Sequence, residues 1–590
     1  MTEAFYQCHL VDLVYTDFAK LFNKVPNNQL MHKYNKQLKH KLVKGSKERF
    51  FTKKAYNLCL TDNLHFELSD LRRFENAIKD TENWNIVHKC VHILLVKRPN
   101  FGILLASQKA AEYIRDPLKI IEFTYKALQL GAFFLEHGLY DCSKIVYQSI
   151  DIVDLNGNID NNILSIAFEV ALRVGHVLTL NCNYNDANTA ILNASILLTY
   201  MQNCNLKPNC AFYYTLCSMY MFSLSQYDKA YNLALQAVQE LNDSLPPKII
   251  VDTLRQACKA CIIKRLFCEA RVYTLEALKL ARYWFGIHHL KYADCLSDFA
   301  FYLLSIDNVG LSVKYYEMAL SVRKEQLGEK NILTAMTHED LAYALYVRDY
   351  SKGDFEHARV HAEQALMVLL EILPVDHLLL SSSKRVEALI LEEVAIDSDD
   401  PIVEDRLLKC AESLHMDSLR LAKNTFGEYN VQTAKHYGNL GRLYQSMKKY
   451  KEAEANHLKA IYIKEKLLSC SDYEVALSIG HLASLYNYDM KKYDEAEQLY
   501  KRSIEIGRKL FGVWYSGLEY DYRGLIHLYE ETGRHVEAAH YRSNLADWKF
   551  ERDDKFSKAL YIEPQEDHTD QVCVKTILQN VKDRSIKSGF

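Results

Sequence analysis

Apolar and small residues recur along this chain at a helical spacing, and the stretch from 434 to 512 states the pattern twice. Leu440, Gly441 and Tyr444 mark one face of a helix, and Tyr450, Ala453 and Ala460 mark the face of a second helix packed against it. Leu482, Ala483, Tyr486, Tyr493 and Ala496 repeat the scheme about 42 residues later. A small residue on each helix lets the two backbones approach closely, so the pattern predicts a series of tightly packed helix pairs.

The same spacing runs backwards from there. Leu130 with Gly131, Val174 with Gly175, Cys217 with Ser218, Ala257 with Cys258, Phe299 with Ala300 and Leu341 with Ala342 place six earlier first helices. Ser143, Ala187, Ala230, Ala270, Ser312 and Ala358 are the small positions of their second helices, and Ala194, Ala237, Ala277, Ala319 and Ala365 supply a further one. The step from Leu345 to Ala358 is longer, through the loop DYSKGDF. A degenerate unit at 378–427 carries Ala411 and an acidic, proline-containing loop, DSDDPIVED, predicted to bulge from one side. Leu525, Tyr529 and Ala538 make a last, weaker unit ending near Trp548.

This is the pattern of tetratricopeptide repeats. About ten of them predict an all-α fold, a right-handed superhelical solenoid with one concave and one convex face. Each unit buries its faces only on its neighbours, so no single repeat folds alone. The organisation reads as a helical N-terminal region at 1–100, degenerate repeats at 101–248, longer repeats at 249–550, and a solvated tail at 551–590 whose run EPQEDHTDQ suits disorder.

In the longer repeats the extra residues recur between the second helix and the next first helix, marked by Phe285-Gly286, Leu327-Gly328, Phe426-Gly427 and Phe511-Gly512. Glycine there suits a left-handed helix C-cap. These steps, with the following Asn439-Leu440-Gly441 and Leu482-Ala483-Ser484-Leu485-Tyr486, resemble the kinesin light chain type of repeat over 250–545, which implies a groove holding an extended peptide. Whole phrases go further. AKHYGNLGRLYQSM, HLASLYNYDM, SGLEYDYRGLI and DHLLLSSSKRVEALILEEVAID resemble the amyloid protein-binding protein 2 family. The resemblance implies a non-catalytic substrate receptor of an elongin B/C and cullin-2 RING ubiquitin ligase, one that recognises glycine-containing motifs near substrate C-termini. It also implies a link to microtubule-associated traffic of the amyloid precursor protein's cytoplasmic tail.

At the N-terminus, Leu10, Val11, Leu13, Val14, Phe18, Leu21 and Phe22 form an apolar stripe that docks either on the rest of the chain or on a partner. If the family's elongin-docking segment is present, its candidates are Leu10 with Val14, then Val25 and Pro26, although the only nearby cysteine, Cys8, precedes Leu10. Residues 33–54 are rich in Lys and Arg with interleaved aromatics, which suits a solvated helix face or a nucleic-acid contact.

Composition narrows the partners. The chain has 590 residues, 49% hydrophobic, with 40 Tyr but only 20 Gly and 9 Pro, a helical rather than turn-rich balance. A net charge of −3 gives no global pull toward nucleic acid, so none is expected as a partner. There is no basic-then-apolar leader and no apolar run long enough to span a bilayer. The 15 cysteines then read as reduced thiols of a cytoplasmic protein, with the nucleus, microtubules and membrane surfaces as further locations.

Catalytic motifs fail on context. Cys258 and Cys261 match C-x-x-C but occupy packing positions, with no second pair spaced for zinc. Ser381-Ser-Ser-Lys384 lacks the companion elements of a β-lactamase site, and His535 and His540 do not have the spacing of a zinc helix. No cofactor, metal or catalytic residue is therefore assigned. The candidate peptide-binding residues are polar positions on the concave face: Lys435, Asn439, Arg442, His481, Asn487, Asp521, Arg523 and His527. Asn suits a peptide amide and Arg or Lys a carboxylate, while Asp298, Glu339, Asp340 and Asp521 suit a basic side chain.

Overall fold

Ten small side chains fix the helices in pairs. Ser143, Ala187, Ala230, Ala270, Ser312, Ala358, Ala411, Ala453, Ala496 and Ala538 are all exposed by 1% or less. The computed structural model describes residues 128, 131–148, 150, 161–513, 515–559 and 574–588. Leu10, Val14, Val25, Pro26 and the basic run at 33–54 lie outside the described residues.

The first pair joins helical residues 131–136 to α1 (Tyr140–Gln148). Then come α2 (Asn161–Leu180) with α3 (Tyr184–Asn203), α4 (Ala211–Ser223) with α5 (Tyr227–Gln239), α6 (Pro247–Ile263) with α7 (Phe267–Phe285), and α8 (Leu290–Ser305) with α9 (Val309–Leu327). They continue as α10 (Ile332–Asp349) with α11 (Glu356–Ile372), α12 (Leu379–Ile396) with α13 (Pro401–Phe426), and α14 (Val431–Ser446) with α15 (Tyr450–Leu467). The last are α16 (Tyr473–Ser484) with α17 (Tyr493–Phe511), and α18 (Gly517–Glu531) with α19 (His535–Ala559). A final helix, α20, spans Val574–Ser588. Where the small residue is serine, its hydroxyl satisfies a carbonyl of the facing helix: Ser143 donates to Gly131 O at 2.8 Å, Ser218 to Ala230 O at 2.6 Å and Ser312 to Ala300 O at 2.8 Å. A Cβ on Gly131 would lie 2.3 Å from the Tyr147 ring, which is why that approach requires glycine.

Two recurring turns connect the helices. Within nine of the ten pairs the turn carries one residue of positive φ, a glycine (Gly138, Gly353, Gly533) or Cys182, Ser225, Arg265, Asp307, Lys448 or Lys491, the latter six at φ 55–67°. The amide that follows then reaches back to the first helix, as Gln226 N to Met221 O and Leu266 N to Cys261 O, both 2.9 Å. Between pairs, Gly286, Gly328, Gly427 and Gly512 have φ 79–82° with ψ near 180°. This corrects the left-handed cap expected there: φ is positive but the backbone is extended, a region only glycine occupies. After Gly286, Gly328 and Gly427 the next helix is capped by a side chain, His289, Asn331 or Asn430 accepting from the amide two residues on, whereas Ser516 after Gly512 makes no such bond.

Two elements differ from the sequence expectation. The loop DSDDPIVED does not bulge as a whole, because Asp400 caps α13 and Pro401 starts it, so that helix runs 26 residues. The span 551–590 is not a solvated tail throughout: α19 runs on to Ala559, and α20 buries Ile577, Leu578 and Val581 in the same core cluster as α7, with Gln239 of α5 donating to Lys582 O at 3.4 Å. Ile577 and Leu578, with Val581 one turn on, give this helix one apolar face to dock.

The array curls until it meets itself, with five repeats completing a turn. Asn331 at the start of the sixth pair donates to His137 O in the first at 2.8 Å. Tyr184 of the second stacks on Phe426 of the seventh, 5.8 Å between centroids. Asn430 and Gln432 of the eighth bond Leu224 O and the Tyr227 hydroxyl of the third, at 3.3 and 3.2 Å. Arg265 of the fourth lies over the Tyr473 ring of the ninth, 4.5 Å from its centroid, and Asp307 of the fifth pairs with Arg552 of the tenth. The concave face is therefore the wall of an enclosed channel rather than an open groove.

Candidate functional site

First helices pack on the first helices of the next pair, so they form the channel wall. Its charges change character along the axis. In the fourth and fifth pairs they are compensated: Arg255 meets Asp298 at 2.6 Å and Asp252 at 2.9 Å, Lys259 meets Asp298 at 3.0 Å, and Arg323 meets Asp294 at 2.8 Å. Farther along, Asp340 has no cation in contact among the described residues, and burial pushes its carboxyl up to about 6. Glu339 accepts from Ser382, and its carboxyl is pushed up to about 7 by burial, then by Asp340. Where the ninth and tenth pairs face the fifth and sixth, a cavity of about 650 Å³ opens, lined among others by Tyr346, Arg442, His481, Tyr520, Asp521 and Arg552.

The residues singled out in the sequence fall into three groups. Among the described residues Lys435 and Asp521 have no ionic partner. None of them gives the Lys435 ammonium a hydrogen bond or ion pair; burial first, then Arg385 and Lys464 against the opposing Glu474, lowers it to about 8. Asn439, one turn on, has a buried Nδ2 with no acceptor. Asp521 is 3% exposed beside Ser503, and burial raises its carboxyl to about 7.

A second group is spent on the fold. Arg442 donates to both carboxylate oxygens of Glu392, from Nη2 to Oε2 at 2.8 Å and from Nε to Oε1 at 3.3 Å, and to the Tyr346 hydroxyl at 3.1 Å, while Ser446 gives Glu392 another bond at 2.9 Å. Asn487 is fully buried, donating from Nδ2 to Gly524 O at 2.9 Å, and its Oδ1 lies 3.2 Å from His527 Nδ1. It sits in a π-helical turn, Leu485–Asp489, that absorbs the one residue by which the ninth repeat exceeds the eighth between its first leucine and second-helix tyrosine. His481 lines the cavity, 6.3 Å from Tyr520 and held neutral by burial. Arg523 alone is exposed, paired with Glu519 at 2.7 Å.

One residue was missed. Arg385 on α12 has no ion pair or hydrogen bond among the described residues, and its guanidinium lies 5.4 Å over the Tyr343 ring. Its signal lay in the degenerate seventh repeat, where the consensus is too weak to align by eye. Of the rejected motifs, Cys258 and Cys261 are buried with thiols raised by desolvation, Ser381 donates to Ser418 O, and Lys384 pairs with Asp417. Among the described residues no group of three or more His, Cys, Asp or Glu is placed to hold a metal ion. None of the described helices is long and apolar enough to cross a membrane.

Residues 409–466 and 475–513 match tetratricopeptide repeat families. Amyloid protein-binding protein 2 of Mus musculus is 46% identical over 514 residues, covering 85% of this chain and 87% of that protein, and the Rattus norvegicus protein matches equally. The chain belongs to the amyloid protein-binding protein 2 family. Among solved structures, a Podosopora anserina putative kinesin light chain with nearly identical TPR-like repeats is 17% identical, covers 38% of this chain and 97% of its own, and has a TM-score of 0.28. As a member of the amyloid protein-binding protein 2 family built from tetratricopeptide repeats, the chain is a protein-binding adaptor.

Proposed function

We propose that this protein is a non-catalytic substrate receptor that takes extended, glycine-containing peptide motifs at or near substrate C-termini into its channel and presents the substrate to an elongin B/C and cullin-2 ubiquitin ligase. The observation that carries the reading is the enclosed channel whose wall holds, among the described residues, two charged groups without an ionic partner, Lys435 and Asp521, and the Asn439 Nδ2 without an acceptor. Such a channel excludes a folded domain and admits a chain end; glycine lets that chain's backbone lie close against the wall. Residues 1–100, with Leu10, Val14, Val25 and Pro26, are the ligase-docking end in this reading.

Co-expression with elongin B and C tests it: the full-length chain co-purifies with both, and a chain starting at Phe101 does not. Failure of the full-length chain to retain elongin, where a known receptor retains it, refutes the ligase role. A second reading is favoured by the relatives' name, which says that they bind amyloid protein. In it the chain is a cytoplasmic, microtubule-associated transport adaptor, and the channel takes the cytoplasmic tail of a membrane cargo such as amyloid precursor protein. That reading requires cargo binding and transport to survive deletion of residues 1–60.

A further inference from the structure

Along the inner wall, α12 and α14 face each other in register, and the register exposes a missing anion. Glu392 on α12 accepts from Arg442 at 2.8 Å and from Ser446 at 2.9 Å on α14. Arg385, Lys435 and Asn439 each lie seven residues, about two turns, before Glu392, Arg442 and Ser446, so they recreate the same juxtaposition two turns away. At that place the acceptor is gone. Arg385 stands where a glutamate would close the triangle, and all three side chains are donors.

Among the described residues no neighbour fills the gap. Glu474, the acid whose charge acts on Lys435, is committed to Lys464 at 2.9 Å. Glu339 and Asp340 act on Arg385 from α10 at a distance, neither in an ion pair with it, and Glu339 already accepts from Ser382. His436 beside Lys435 is held neutral by burial and shares its Nε2 with Ser381 at 3.1 Å. The Tyr343 ring supports the guanidinium from one side. Two cations held in a channel without an ion-pair partner among the described residues are costly unless a ligand supplies one.

We propose that Arg385, Lys435 and Asn439 form a carboxylate seat that fixes one end of the bound peptide, its C-terminal α-carboxylate or an Asp or Glu side chain close to it. The inference rests on the peptide-binding reading above and adds the ligand group and its direction in the channel. The guanidinium takes the carboxylate through paired N–H donors, the ammonium adds a point charge, and the Asn439 amide gains the acceptor it lacks.

The test uses the full-length chain and three fluorescein-labelled decapeptide pools, each randomised except for one glycine among the last three residues. One pool has a free C-terminus, one is amidated, and one is amidated with a fixed glutamate beside the glycine. Fluorescence anisotropy is expected to show the free-acid or glutamate pool binding at least tenfold tighter than the plain amide. Whichever of the two is tighter identifies the source of the carboxylate. Lys435→Gln and Arg385→Gln are expected to remove that preference by weakening the tighter pool at least tenfold relative to the plain amide, and Lys435→Arg to retain it. Circular dichroism checks that each variant is folded, and removing the unpaired Lys435 charge leaves no partner orphaned. Equal binding of all three pools overturns the seat and leaves the peptide reading standing, as does a Lys435→Gln loss equal for every pool. Binding of none overturns both.

Discussion

Arg442→Met separates a structural tie from a ligand contact. The substitution keeps an apolar stem of similar reach and deletes the guanidinium, leaving the Glu392 carboxylate, 1% exposed, with the Ser446 hydroxyl as its remaining side-chain donor. Breaking a buried pair by removing one partner costs about 3–5 kcal/mol, because the other charge stays desolvated. The loss falls on α10, α12 and α14, which Tyr346, Glu392 and Arg442 join, so it is read locally by native-state amide exchange. Protection in those three helices is expected to fall about 10²- to 10³-fold, at about 1.4 kcal/mol per decade, while α2 to α5 change little, since stability in a repeat array is largely a sum of local terms. Glu392→Leu combined with Arg442→Met restores most of the protection. If the single variant exchanges within threefold of the parent, or the double variant is no better than the single, Arg442 is not the tie described.

Gly427→Ala is expected to destabilise by about 1–3 kcal/mol in urea titration through backbone strain alone, because no atom lies within 4 Å of the added Cβ. Lys448→Gly, at φ 59°, is expected to stabilise by about 0.5–1 kcal/mol in the same assay. Asp521 has a native pKa near 7 against about 4 when unfolded, so its contribution to stability is full at pH 4 and is lost as pH rises through 7. Asp521→Asn should therefore match the parent at pH 4 and exceed it at pH 8 by about 3–4 kcal/mol in denaturant titrations; a constant difference across pH refutes the assignment. Ending the chain at residue 573 removes α20, uncovers the apolar surface beneath Ile577, Leu578 and Val581, and is expected to lower the melting temperature and raise dye binding.

The pairing of helices was legible because one buried contact per repeat tolerates only Gly, Ala, Ser or Cys, and that constraint recurs at fixed spacing. What escaped depended on contacts far apart in sequence. Nothing local in Asn430 marks it as a donor to Leu224 O, since that bond exists only once five repeats have turned through a full circle. Polarity on a first helix likewise did not distinguish Arg442 and Asn487, which are consumed by neighbouring repeats, from Lys435, which is not. The π-helical turn was readable in principle as one surplus residue, whereas Arg385 required the register of α12 against α14. The α20 dock required knowing which convex surface lay within its reach.

Closure every five repeats also fixes how long this array can be. An open solenoid can gain or lose a unit and still present every remaining neighbour with its proper face. Here the removal of one repeat would offer Arg265 to a different ring, Asp307 to a different cation and Asn331 to a different carbonyl, so that the winding as a whole would lose its mesh. The number of repeats is then inherited as a single trait, like the tooth count of a gear, and length variation in such chains should concentrate in the tips of turns, not in whole units.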